Sequence, residues 1–370
     1  MAAPAGSDIA TALGRPFTIN ELTLRNRIVM APMTRRLSPD GIPGPDVAAY
    51  YARRAANQVG LIITEGTYIN RVAAAAYPNV PFFHGDKPLA GWANVVDEVH
   101  QAGGAIMPQL WHTGLARDPR DPDAPPAEGP SGIGLNGAPH GRAMTQDDID
   151  AVIAAFAQAA ADARRIGFDG VELHGAHGYL IDSFLWAGTN HRTDGYGGDP
   201  VSRARFATEI VRAVRAAVSP EFPVVFRFSQ WKSDNYDAKI AETPAELERI
   251  LTPLAEAGVD VFHASTRRYW LPEFDGSDLN LAGWAKKLTG KPTITVGSVG
   301  LDKEFNGPLG RSRHAAVTGL DLLLERLNHD EFDLVAVGRA LLADPEWAAK
   351  ALSGRTETIA YDASVLDTLF

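Results

Sequence analysis

The 370-residue chain contains no cysteine. That excludes a disulfide framework, a cysteine nucleophile, thiolate zinc sites and cysteine-ligated iron–sulfur clusters. It also suits a reducing, cytoplasmic compartment. No stretch approaches 18 uncharged apolar residues, so no transmembrane helix is expected. The opening segment, MAAPAGSDIATALGRPF, lacks the basic end and apolar run of a secretory signal. There is no basic stripe, and a formal net charge of −10 opposes binding to nucleic acid or an anionic membrane surface. Repeats and interdomain linkers are missing too. With 45% hydrophobic and 22% charged residues, the expectation is a soluble globular protein forming one domain over 1–370.

Eight short runs rich in β-branched and apolar residues occupy 27–32, 60–65, 105–110, 169–174, 223–228, 259–264, 292–297 and 332–338. Near-continuous apolar runs of this length read as parallel strands buried on both faces. Helical patterns separate them, at 47–57, 91–101, from Thr145 onward, and at 202–218, 244–257, 282–289, 320–327 and 345–352. After Thr145, residues Ile149, Val152, Ile153 and Phe156 fall on one helical face, and Thr145 with Asp148 forms a variant capping box. Eight alternations predict a closed (β/α)8 TIM barrel, with an open doubly wound sheet as the alternative. FTINELTLRNR reads as a hairpin able to plug the lower end. The Pro/Gly-rich stretch 117–142 reads as a long loop after the third strand, either a lid or a surface excursion.

Active sites of such barrels lie at the C-terminal ends of the strands, so the polar residues there carry the functional reading. In the fourth strand, period-two alternation sends Val171 and Leu173 outward to the helices and Glu172 and His174 into the lumen. His177 and Tyr179 follow on the loop. Two imidazoles beside a phenol can bind an oxyanion and supply a proton, although an isolated HxxH also serves packing. As a metal pair it lacks a third ligand, since His112 is out of phase with Gln109 and Trp111. Arg227 also faces the lumen, where a buried guanidinium requires an anionic partner or several acceptors; a cofactor anion would serve, and so would Glu172. Gly297-Ser298 and Gly338-Arg339 end strands seven and eight, the two loops where barrels commonly hold phosphate. No GxGxxG follows the first strand, so a Rossmann dinucleotide site is not supported.

The run GVELHGAHGYLIDSFLWAGTNHRTDGYGGDPVSRARF closely resembles the signature of the Old Yellow Enzyme family of FMN ene-reductases. APMTR at 31–35, PQLWHTG at 108–114 and VGRALLADP at 337–345 are similar to its other landmarks, in order and at family-like spacing. The resemblance implies an enzyme that binds FMN non-covalently, draws hydride from NADPH or NADH, and reduces the activated C=C bond of enones or enals. Pro32, Met33 and Thr34 would line the flavin, with the Thr34 hydroxyl near its O4 edge. Gly66 would admit the isoalloxazine to the second-strand backbone. Gln109 would hold the pyrimidine edge and Arg227 would sit by N1 and O2. Gly297, Ser298, Gly338 and Arg339 would hold the phosphate. His174 and His177 would bind the substrate carbonyl oxygen, Trp111 would wall the pocket, and Tyr179 would donate the proton.

The sequence departs from the family pattern in places. His177 stands where some relatives have Asn, and Thr34 where another branch has Cys. The segments 229–247 and 265–274 are unlike better-known members, which makes Trp231, Tyr269 and Trp270 candidate pocket walls. Longer relatives append an iron–sulfur cluster and a second flavin domain, for which this chain has neither the length nor the cysteines. Electrons are then expected directly from the nicotinamide. Nitroreduction and a phosphate-binding barrel without turnover are the competing readings.

Overall fold

A computed structural model describes residues 6–116, 126–304, 314–355 and 357–370. Eight strands form the barrel: β1 (Ile28–Met30), β2 (Leu61–Tyr68), β3 (Ala105–Trp111), β4 (Val171–His177), β5 (Val224–Lys232), β6 (Val261–Ser265), β7 (Thr293–Val296) and β8 (Leu334–Val337). Each is parallel to its neighbours in chain order, and β8 closes on β1, so the predicted (β/α)8 barrel is the observed one. The helices that follow the strands in turn are α1 (Pro45–Ala56), α2 (Asp86–Gln101), α3 (Gln146–Arg165), α4 (Pro200–Ala217), α5 (Pro244–Ala257), α6 (Leu281–Thr289), α7 (Asp321–Asn328) and α8 (Trp347–Leu352), with further short helices at Gly6–Leu13 and Leu180–Leu185. A short extra helix, Arg339–Ala343, stands between β8 and α8.

Alternation along the strands builds two separate apolar layers. Val171, Leu173, Phe226, Phe228 and Val335 pack outward against the helices. Val29, Leu61, Met107, Val225, Val261, Ile294 and Leu334 fill the lumen near the strand starts. The antiparallel hairpin Phe17–Ile19/Leu22–Leu24 adds Ile19 and Leu24 to that lumenal cluster, so it plugs the lower end. The capping box also forms. The Thr145 hydroxyl accepts from Asp148 N at 3.2 Å while Asp148 accepts from Thr145 N at 2.9 Å, an arrangement that stabilises a helix start by about 1 kcal/mol.

Strand ends differ from the sequence reading where function begins. β2 runs on to Tyr68 through an irregularity between Ile63 and Gly66. β4 extends to His177 with another between Gly175 and His177, and β5 extends to Lys232. The loop predicted at 117–142 is described from residue 126 onward, with 117–125 outside the described residues. Its described part is anchored. Glu128 and Arg142 lie on a small parallel pair, and a carboxylate–guanidinium network joins Arg71 and Arg142 to Glu128 and Asp148 at 2.5–2.7 Å.

Candidate active site

At the C-terminal rim the lumen turns from apolar to polar. Gln109 Nε2 donates to Glu172 Oε1 at 2.8 Å, and His263 Nδ1 lies 2.6 Å from Glu172 Oε2. Both carboxylate oxygens of Glu172 are therefore taken by neighbours other than Arg227. Strand register then sets His174 beside Arg227, and Arg227 beside His263. Arg227 is 7% exposed, has no hydrogen bond or ion pair to a described residue, and leaves its Nε buried without a partner. Burial pulls its pKa down, with Glu172 opposing through space. A buried cation without a paired acceptor is costly, and among the described residues Glu172 acts on Arg227 only through space, not by a hydrogen bond.

That cavity, of about 410 Å³, is walled by every catalytic or cofactor-contacting candidate from the sequence except Gly66. A Cβ on Gly66 would lie 2.5 Å from the Trp111 ring, so this glycine is seen to make room for the indole. Trp111 in turn stacks on Tyr68 (5.3 Å) and His174 (5.9 Å) and meets Tyr179 edge-on at 4.8 Å. At the other end Arg339 Nη2 donates to Ser298 Oγ at 3.2 Å and to the Lys303 carbonyl. Gly297 takes φ 145, where a side chain would also strike Thr266 and the Arg268 amide. Only glycine fits there. Among the described residues the lining holds five arginines, Arg35, Arg36, Arg227, Arg267 and Arg339, and no aspartate or glutamate.

The two imidazoles are neutral. Burial first, and then the nearby Arg227 cation, push both His174 and His177 well below the ordinary histidine range. His174 Nδ1 accepts from Ala176 N at 3.4 Å, which leaves its proton on Nε2. His177 has a left-handed backbone (φ 67), places Nε2 2.7 Å from Ser265 Oγ, and stacks on Trp231 at 4.3 Å. Tyr179 sits 4.9 Å from His174, ring to ring. Burial raises its phenol well above the usual tyrosine range, Tyr77 adds to this, and a hydrogen bond with Ser233 opposes it. The phenol thus keeps its proton.

Of the loop aromatics, Trp231 lines the cavity. Tyr269 and Trp270 pack against the outer core instead, where Asn280 Nδ2 donates to the Tyr269 carbonyl. His112 is also outside the cavity wall. Its Nε2 lies 2.9 Å from Glu128, and its Nδ1 accepts from Gly114 N at 3.0 Å. No cluster of three or more His, Asp or Glu among the described residues could hold a metal. Sequence reasoning passed over His263, Ser265, Tyr77 and Ser233. For the first two the signal was present, because Val261, His263 and Ser265 alternate toward the lumen as Glu172 and His174 do.

The Glu128 network has a consequence for acid stability. Burial works to raise this carboxyl, but His112 and Arg71 overcome it and hold it at about 2. A depressed carboxylate stabilises the fold above its unfolded pKa, and that contribution is lost as pH falls through the folded value. Between about pH 4.5 and 2 the wild type should therefore lose stability more steeply than Glu128→Gln. Urea midpoints measured across that range will read the difference; parallel curves would refute it.

The rim cavity of this barrel brings together a buried guanidinium without a hydrogen-bonded acceptor among the described residues, two imidazoles and a phenol. Comparison with known proteins gives the family. The model of the NADH:flavin oxidoreductase / NADH oxidase family matches residues 12–317. The chain is 38% identical over 349 residues to 12-oxophytodienoate reductase 7 of Oryza sativa subsp. japonica, covering 90% of this chain and 85% of that protein. It is 36% identical to an NADH oxidase of Thermoanaerobacter brockii, matching 92% of this chain but spanning only half the length of that relative. Morphinone reductase in complex with tetrahydroNAD superposes with TM-score 0.80 at 30% identity, over 96% of this chain and 94% of that one. The chain belongs to this FMN-dependent family, the Old Yellow Enzymes, and is an oxidoreductase of the FMN and NAD(P)H type. No helix among the described residues is long and apolar enough to cross a membrane.

Proposed function

We propose that the protein is an ene-reductase acting on α,β-unsaturated carbonyl compounds. The observation that carries this reading is the convergence of His174, His177 and Tyr179 on a cavity that also presents Arg227 without a protein acceptor. The cavity fits FMN at both ends, because Arg227 needs an anion at one and Arg339 with the constrained Gly297-Ser298 turn offers a phosphate seat at the other. When bound, FMN supplies hydride transfer, drawing hydride from NADPH or NADH and passing it on to Cβ of the alkene.

The protein's own residues do the rest. Pro32, Met33 and Thr34 would line the ring, and Gln109, held by Glu172, would present its amide to the pyrimidine edge. Arg227 would sit beside the flavin, where its fixed charge would favour the reduced, negatively charged cofactor. Gly297, Ser298, Gly338 and Arg339 would hold the phosphate. Gly66 contributes by admitting Trp111, which walls the substrate side. The N–H groups of His174 and His177 bind the carbonyl oxygen and stabilise charge arriving there. Tyr179 delivers the proton to Cα.

The test is direct. The purified protein should show, or acquire with added FMN, the visible absorption of a flavoprotein, and should oxidise NADPH or NADH when 2-cyclohexenone is supplied. A protein that stays colourless with FMN overturns the reading. Flavin uptake with turnover of a nitroarene and none of the enone would replace it with nitroreduction. Uptake without any turnover would leave a binding protein.

A further inference from the structure

We propose that Ser265 is the positioning residue that fixes the tautomer of His177, holding the ring proton on Nδ1, where it is presented to the substrate. This rests on the ene-reductase reading for its purpose, but not for its geometry.

The two histidines acquire their orientation differently. His174 is set by its own chain, through the Ala176 amide on Nδ1. His177 has no such backbone donor. Its own amide is spent on Ser229 Oγ at 2.9 Å, and its Nε2 faces Ser265 Oγ at 2.7 Å. A neutral imidazole carries one proton, so this contact has two possible polarities. If Nε2–H donated to Ser265, the hydroxyl proton would need another acceptor, and Ser265, 3% exposed, has none among the described residues. A buried donor left unsatisfied costs about 1–3 kcal/mol. If the hydroxyl donates to Nε2, both groups are satisfied and the ring proton resides on Nδ1. Only that polarity gives a carbonyl oxygen in the cavity a donor; the other would offer it a lone pair.

The same residue also holds the ring's plane. Trp231 stacks on His177 with an interplanar angle of 26°, and its Nε1 donates to the Ser265 carbonyl at 3.0 Å. Ser265 thus engages the imidazole with its side chain and the indole with its backbone. Trp231 fixes the plane and Ser265 fixes the proton, where an Asn at position 177 would need neither.

Side-chain 15N NMR of the FMN-loaded protein reads the tautomer, with the His177 signals identified by their loss in His177→Asn. We expect Nδ1–H in the wild type, a shift toward Nε2–H in Ser265→Ala, and a return in Ser265→Thr, which keeps the hydroxyl. Phenol affinity, followed by the flavin absorption change, should fall about tenfold in Ser265→Ala, as expected for losing one hydrogen bond of about 1.4 kcal/mol. It should recover in Ser265→Thr. In the His177→Asn background, Ser265→Ala should change phenol affinity little. An Nε2–H wild type, an unchanged tautomer in Ser265→Ala, or an equal affinity loss in the Asn background overturns the assignment. If Ser265→Thr misfolds and takes up no FMN, the wild-type tautomer and the Asn-background comparison still decide. A protein that reduces no enone yet shows the serine-dependent tautomer would sink the ene-reductase reading alone, and an active ene-reductase with Nε2–H would sink the Ser265 assignment alone.

Discussion

Tyr179→Phe is expected to slow enone-dependent reoxidation by roughly 10²–10⁴-fold, the range contributed by a positioned general acid, while NADPH-dependent flavin reduction stays near the wild-type rate. The substitution removes one hydroxyl and keeps the ring that packs edge-on against Trp111 and His174. Hydride arrival at Cβ leaves electron density on Cα and the carbonyl oxygen. On the proposed reading the imidazoles stabilise that oxygen while their protons stay on nitrogen, since burial holds both rings well below the ordinary histidine range. The phenol, kept protonated by its burial, is the acid aimed into the same space. Reduction by nicotinamide moves a hydride without needing that proton, so the two half-reactions should separate in stopped-flow traces. Equal rates in both halves would remove Tyr179 from its role.

Lys232→Met should destabilise the protein by about 3–5 kcal/mol, the cost of stranding one member of a buried ion pair. Lys232 Nζ lies 2.8 Å from Asp182 Oδ2, and neither side chain is exposed. Burial lowers the pKa of the lysine, with Asp182 opposing, and raises that of the aspartate to about 6, with Lys232 opposing. Asp182 also accepts the Gly178 amide, in the turn between His177 and Tyr179. The pair therefore ties the catalytic loop of β4 to the end of β5. Adding Asp182→Leu should recover much of the loss, because a well-packed apolar pair can replace a buried ionic one. Urea midpoints for the single and double variants check this. A double variant no more stable than the single would show that the Gly178 contact, rather than the ion pair, carries the energy.

The barrel was legible because period-two alternation in β4 and β5 leaves one arrangement of faces. Alternation alone sends Glu172, His174 and Arg227 inward. The partner of Arg227 was not legible, since Glu172 satisfies itself through Gln109 and His263, and cross-strand register chooses among such pairings. Trp231 differed from Tyr269 and Trp270 for a related reason. β5 continues to Lys232 through an irregularity in its pairing with β4, and so carries Trp231 into the cavity wall with Arg227; reading the strand as ending at 228 hid this. Tyr269 and Trp270 lie in a true loop, where no period says which way a ring turns. Gly66 carries a constraint the sequence does not show, because a glycine at a strand end looks the same whether or not a neighbouring indole needs the space its Cβ would fill.

The five arginines around the cavity oppose the sign of the molecule that carries them. At long range an approaching phosphate meets a chain of net charge −10, while the described cavity wall itself presents guanidinium groups, with Glu304 set behind Arg267 and Arg339. Physiological salt screens charges over about 8 Å, a distance that leaves the local field in force while muting the distant one. Ionic strength thus governs which field an anionic ligand senses first. On the proposed reading, the rate of FMN uptake should therefore fall less steeply with added salt than charge-steered binding ordinarily does.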